Sequence, residues 1–219
     1  MSNTVKKVLK IAATAVMVIV LAVVSTTITH NKLCNNTGMS DYSYQIYRSR
    51  TELAMEGVKD NIVTEIDNYI DSVASDSGLN GIRLFELCDK YGVDVRFAMA
   101  QAEAESHFGT KGVAAKTNMV WNVKAYDNRT ADDMIKKGDA EKHPDMSIEP
   151  YLILLTNEYL VNGKTEHDMF DKFVDSNGKR YASNPNYEIM VLNIYNRINE
   201  STKLKDLLKE YRRYKMILS

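Results

Sequence analysis

The chain predicts a mainly α fold: a helical lobe with one small strand or hairpin insert, preceded by an N-terminal transmembrane helix. Three observations carry this. Apolar residues recur with a 3.6-residue period over most of the 219 residues. The period fails over one stretch, Asn118 to Met146, where Val120, Trp121, Val123 and Tyr126 read as a short strand or hairpin. A run of 19 uncharged residues without Gly or Pro, Ile11 to Thr29, follows Lys6, Lys7 and Lys10.

That run spans roughly 28 Å as a helix, close to one hydrocarbon core. Lysines before it and none within it place the N-terminus in the cytoplasm and the rest outside. A signal anchor is favoured over a long signal peptide, because no Ala-x-Ala site follows and Lys32-Leu-Cys34 lacks the small residue that precedes a lipidated cysteine. Cleavage would make the protein secreted.

The organisation then reads as residues 1–10 in the cytoplasm, 11–29 in the membrane, 30–80 as linker and amphipathic helix, 81–200 as the main domain, and 201–219 as a basic helix. Asn31 to Ser43 is a polar linker. Tyr44 to Val73 is amphipathic, with Ile46, Leu53, Val58, Ile62, Ile66, Tyr69 and Val73 near helical spacing and Gly57 a candidate interruption. Ser75-Asp-Ser-Gly78 and Asn80-Gly81 mark a boundary. Ile82 to Tyr91 closes on Gly92 as a C′ glycine, and Asp94 is placed to cap the helix carrying Phe97 to Ser106. Ser147 is the expected cap of Ile148 to Val161. His167 to Val174 is a short helix, with Glu166-His167-Asp168 at its start. Asn184-Pro185 starts Asn186 to Ile198, and Ser201 to Ile217 is the last helix.

Composition excludes several functions. A net charge of −1 and no basic stripe interleaved with aromatics argue against nucleic acid as a partner. Three prolines and no low-complexity tract argue against a disordered chain. No His-Glu-x-x-His, Cys-x-x-Cys, Walker or dinucleotide glycine pattern occurs, so no metal or cofactor is expected. Of the two cysteines, Cys88 lies in an apolar helical pattern and reads as buried, leaving a pairing with Cys34 open. Oligomeric state is not readable.

The chemistry concentrates in Ala98-Met-Ala-Gln-Ala-Glu-Ala-Glu-Ser-His-Phe-Gly109. This small-residue helix delivers Glu105 to its own C-terminal end. Crowding and the negative end of the helix dipole both disfavour ionisation there, which keeps a carboxyl protonated and able to act as a general acid. Gln101 shares the face of Glu105 at i,i+4 spacing, while Glu103 points away.

Phe97-Ala-Met-Ala-Gln-Ala-x-x-Glu-Ser-x-Phe-Gly109, Lys116-Thr-Asn118, Trp121-Asn-Val-Lys124, Ser147-Ile-Glu-Pro-Tyr151 and Arg180-Tyr-Ala-Ser-Asn-Pro-Asn-Tyr187 together resemble the bacterial and phage glucosaminidases of glycoside hydrolase family 73. The resemblance covers roughly Gly81 to Ile198. Phe108 stands where Trp is commoner, and Trp121-Asn122 replaces a Phe-Gly pair. The resemblance implies a lysozyme-like α+β fold and hydrolysis of the β-1,4 bond after N-acetylglucosamine in peptidoglycan. It makes Glu105 the general acid and draws a second acidic residue from the insert. There Asp127, Asp132, Asp133, Asp139, Glu141 and Asp145 are available, and spacing favours Glu141. Tyr181 is expected to assist catalysis, and Gln101, Phe108, Trp121 and Tyr187 to bind the glycan. A lytic transglycosylase using the same acid, and a catalytically silent wall-binding or virion module, are the alternatives.

Overall fold

A computed structural model describes residues 41–123 and 129–219. The expected membrane helix, Lys124, Tyr126, Asp127 and Cys34 lie outside the described residues. Among those described, no helix is long and apolar enough to cross a membrane.

The chain divides into two units. The smaller comprises residues up to Met55 together with Tyr214–Ser219. Within it, the first turns of helix α1 (Asp41–Val73) carry an Arg48–Glu52 pair at 3.0 Å. Helix α1 passes through Gly57 without a break, because nothing crowds that residue and the surrounding turns hold the helical geometry.

The larger unit, Glu56–Arg213, holds the rest. Val58, Ile62, Ile66, Tyr69 and Ile70 form a buried stripe along α1. Helix α2 (Gly81–Tyr91) begins at Asn80, whose Oδ1 accepts the Ile82 and Arg83 amides, and ends on left-handed Gly92. Helix α3 (Val95–Ser106) is the central element, with Val95 through Ala102 buried. Its cap is Asp94, which accepts the Arg96 amide and also grips the Arg96 guanidinium at 2.5 and 3.0 Å. Alanines at 98, 100 and 102 leave no bulk to hold neighbours off, so α8 (Tyr187–Ser201) packs closely against it.

The expected hairpin is replaced, among the described residues, by turns and helix. Ala114–Thr117 (α4) is one short turn, and Asn118 and Asn122 are left-handed, folding Met119 to Trp121 into the core. Ala131–Lys137 forms α5, fixed by a Thr130–Asp133 capping box and terminated by Gly138. Val120 and Trp121, from the apolar run that suggested strands, are instead buried in a turn between left-handed Asn118 and Asn122. One isolated bridge, Val174 to Arg180, is the β pairing present among the described residues.

Helix α6 (Ile148–Leu154) follows a 3₁₀ turn over Pro144–Ser147. Ser147 does not cap it. The preceding turn already places Ser147 in helical geometry, and its hydroxyl instead donates to Pro144 O and accepts the Val120 amide. From Leu155 to Tyr159 the helix widens to a π turn, closed by Leu160 N–H to Leu155 O at 2.8 Å. Helix α7 (Glu166–Asp171) starts with Asp168 accepting the Thr165 amide, and Glu166 accepts the Asp94 amide. Helix α8 begins at Tyr187, one residue past the expected start, because Asn184 makes an Asx turn that precedes it. Helix α9 (Leu204–Leu218) is the final basic helix.

Candidate active site

The end of α3 sets the site. His107 (φ 53°), Phe108 (φ 55°) and Gly109 (φ 84°) are left-handed in succession, a costly backbone for the first two. The reversal turns the Phe108 ring inward, where it is fully buried and meets Tyr69 edge-on. It also brings Ser106 to the neighbouring loop, where its hydroxyl donates to Val120 O at 2.6 Å and accepts the Gly109 amide. Asn122 is thereby held beside Glu105.

Glu105, the penultimate residue of α3, opens onto a cleft of about 810 Å³. Trp121, Asn122, Arg129, Glu158 and Tyr181 line it with Glu105. The Tyr187 hydroxyl donates to Glu105 Oε1 at 2.5 Å, and Asn122 Nδ2 donates to Oε2 at 3.0 Å and to Glu105 O at 2.9 Å. Both partners are neutral. Crowding by protein raises the Glu105 carboxyl above the ordinary glutamate value, and the Tyr187 and Asn122 donors partly offset that. Each carboxyl oxygen keeps a second lone pair, so the group can still carry a proton.

A buried chain stands behind it. Tyr151 O–H donates to Gln101 Oε1 at 2.5 Å, and Gln101 Nε2 donates to the Tyr187 oxygen at 3.2 Å. Every donation runs toward Glu105. Burial holds the Tyr151 and Tyr187 phenols well above their usual range, so both stay protonated donors.

The far wall depends on one ion pair. Arg180 donates to Glu188 Oε2 at 2.6 Å, to Asn184 O and to Ala182 O, tying the segment from 180 to 188 into a fixed loop. Tyr181 then stacks between Phe173 (4.7 Å) and Tyr187 (5.7 Å), and its hydroxyl donates to Trp121 O. Sequence reading missed Glu188, since a lone glutamate one residue past Tyr187 carries no signal of its Arg180 partner.

The structure therefore brings Glu105, Trp121, Tyr181 and Tyr187 together. Trp121 nonetheless is almost wholly enclosed: it lies flat on Tyr151 at 4.7 Å and donates Nε1–H to Ala98 O. Gln101, Phe108 and Tyr187 are buried and outside the described lining of the cleft, which removes the glycan contacts expected of them: Gln101 lies one turn deeper in the core than Glu105, and the Tyr187 hydroxyl is engaged with Glu105 and Gln101. Glu141 is absent from the described lining. Its backbone pairs with Thr117 and Asn118, which turns that segment toward α4. Asp133 caps α5, Asp139 pairs with Arg129 at 2.7 Å, and Asp145 accepts the Asn80 amide. Glu158, which no motif singled out, is the exposed carboxylate that lines the cleft among the described residues, carried on the π turn.

A partly desolvated carboxyl held by neutral donors in an open cleft can give up a proton to a bound oxygen and take one back. Comparison with curated proteins and with solved structures returns no match. The family model for mannosyl-glycoprotein endo-beta-N-acetylglucosaminidase matches residues 83–200, more than half of the chain and all of the site, and the chain belongs to this glucosaminidase family.

Proposed function

We propose that the protein hydrolyses the β-1,4 bond after N-acetylglucosamine in peptidoglycan, with Glu105 as general acid. The observation that carries this reading is the setting of Glu105. It is a carboxyl with its acidity weakened by crowding, at a helix end, opening onto the cleft of a glucosaminidase-family domain.

In the proposed reaction the sugar's 2-acetamido oxygen attacks C1 as Glu105 protonates the departing O4, and the C1–O4 bond breaks. Water then attacks C1, returns a proton to Glu105 and releases the acetamido oxygen. We assign Glu158 to accept the acetamido N–H, which makes the attacking oxygen more nucleophilic. Tyr181 walls the sugar on the opposite side, and Tyr187 fixes Glu105 from behind.

The test is Glu105→Gln assayed on purified peptidoglycan. Loss of reducing-end release with retained cooperative unfolding supports the reading, and unchanged release overturns it. Anhydro ends in place of reducing ends would identify a lytic transglycosylase, and wild type that binds wall without releasing sugar would identify a silent module. We further place the domain outside the membrane, on the strength of the uncharged run Ile11 to Thr29 behind its lysines. Protease treatment of intact cells would digest it there and spare it in the cytoplasm.

A further inference from the structure

Asn122 makes an arrangement that its backbone does not need. Its φ is 49°, a left-handed conformation that glycine adopts freely and that asparagine and aspartate adopt at a smaller cost than most other residues. Its Oδ1 is buried with no hydrogen-bond partner among the described residues, a second cost. The loop is held without its side chain. The Asn122 amide bonds Met119 O at 2.9 Å, Ser106 bonds Val120 O, Ser147 accepts the Val120 amide, and Trp121 bonds Ala98 O. A glycine at 122 would keep all of these and remove both costs.

What the side chain adds is directed at one residue. The two hydrogens of its Nδ2 reach Glu105 O at 2.9 Å and Glu105 Oε2 at 3.0 Å. One amide thus clamps the carboxyl to the backbone of its own helix end, while Tyr187 holds the other oxygen. We propose that Asn122 is a positioning residue for the acid: it locks the Glu105 carboxyl in one orientation toward the cleft and favours its return to the ionised form after each proton transfer. This rests on Glu105 being the acid of the proposed hydrolysis.

The direction of the effect follows from charge. A donor on Oε2 stabilises carboxylate over carboxylic acid, so its removal keeps Glu105 protonated to higher pH. Loss of the clamp also frees the side chain, which lowers the fraction of time the proton points at the bond.

The experiment compares wild type, Asn122→Gly and Asn122→Asp, both replacements tolerating a left-handed backbone. Each is followed by carbon-13 NMR titration of the Glu105 carboxyl and by the pH dependence of reducing-end release from peptidoglycan. Asn122→Gly is expected to unfold at or above the wild-type midpoint, to titrate Glu105 at higher pH, and to shift the alkaline limb of kcat upward. Its kcat should be roughly tenfold lower with KM unchanged. Asn122→Asp, which replaces the donor with a second carboxylate, should move the titration further the same way. A folded Asn122→Gly that titrates and turns over as wild type does would overturn the proposal and leave Asn122 a loop residue. Wild type without reducing-end release would defeat the hydrolase reading, while the NMR midpoints would still decide whether Asn122 governs Glu105.

Discussion

Glu103 and Glu105 lie on the same helix, two residues apart, in opposite electrostatic settings. Glu103 is paired with the Arg197 guanidinium and accepts the Tyr69 hydroxyl at 2.8 Å, whereas the described partners of Glu105 are neutral. Neutralising each should therefore have different consequences. Glu105→Gln should reduce hydrolysis by about 10²-fold or more, the usual weight of a general acid. Glu103→Gln should leave the rate nearly unchanged and cost about 1–2 kcal/mol of stability, because Arg197 and Tyr69 lose a charged acceptor. Sugar release and urea denaturation of both variants check the pair.

The raised pKa of Glu105 also predicts how stability depends on pH. A group whose folded value lies above its unfolded value contributes fully below the unfolded value, and that contribution is lost as pH rises through the folded one. Gln at this position cannot ionise. The stability of Glu105→Gln relative to wild type should therefore grow as pH rises from 4.5 through the titration of Glu105, then level off. Thermal melts across that range measure it; a pH-independent difference would refute it.

Removing the donor on the other oxygen should act in the same sense on catalysis. Tyr187→Phe deletes the hydroxyl that favours ionised Glu105, so the alkaline limb of the pH–rate profile should move to higher pH. The ring's stack on Tyr181 is kept, so KM should change little. A profile that superimposes on wild type would show that the hydroxyl does not tune the acid.

Two further carboxylates can be separated by position. Glu158 lines the cleft and Glu141 is outside its described lining. Glu158→Gln should lower kcat by roughly tenfold or more, in the range of a positioned polar group on the reacting atoms, while Glu141→Gln should remain within about twofold of wild type, as surface changes do. The reverse ranking would return the second role to the insert.

Tyr151→Phe tests the chain behind the acid. It keeps the flat contact with Trp121 and deletes one hydroxyl, leaving Gln101 Oε1 buried and unpaired at a cost of about 1–3 kcal/mol. Denaturant unfolding measures this loss.

The sequence announces what local chemistry decides. Asp94 and Gly92 were legible as caps because a side-chain acceptor and a left-handed glycine act within one turn. Glu105 at its helix end was legible for the same reason. Depth was not: Gln101 and Phe108 carry the right chemistry, yet whether they meet solvent depends on α8 and on two left-handed residues after Ser106. Ser147 looked like a cap but serves the Val120 loop, a contact set by the tertiary fold. The π turn was invisible because the apolar pattern of Tyr151, Leu152 and Leu155 suits either helix form.

That π turn gives the cleft a dependence on chain length as well as on residue identity. A π turn holds one residue more than the α-helix it interrupts. Deleting a single residue between Leu154 and Tyr159 would restore the regular period and rotate one side of the turn by about 100° against the other. Leu152 and Leu155 are anchored in the core, so Glu158 and Tyr159 would be the residues to swing. A one-codon deletion would thus exchange the groups facing the cleft, and would also pull Tyr159 from its packing on Phe173 and Tyr181.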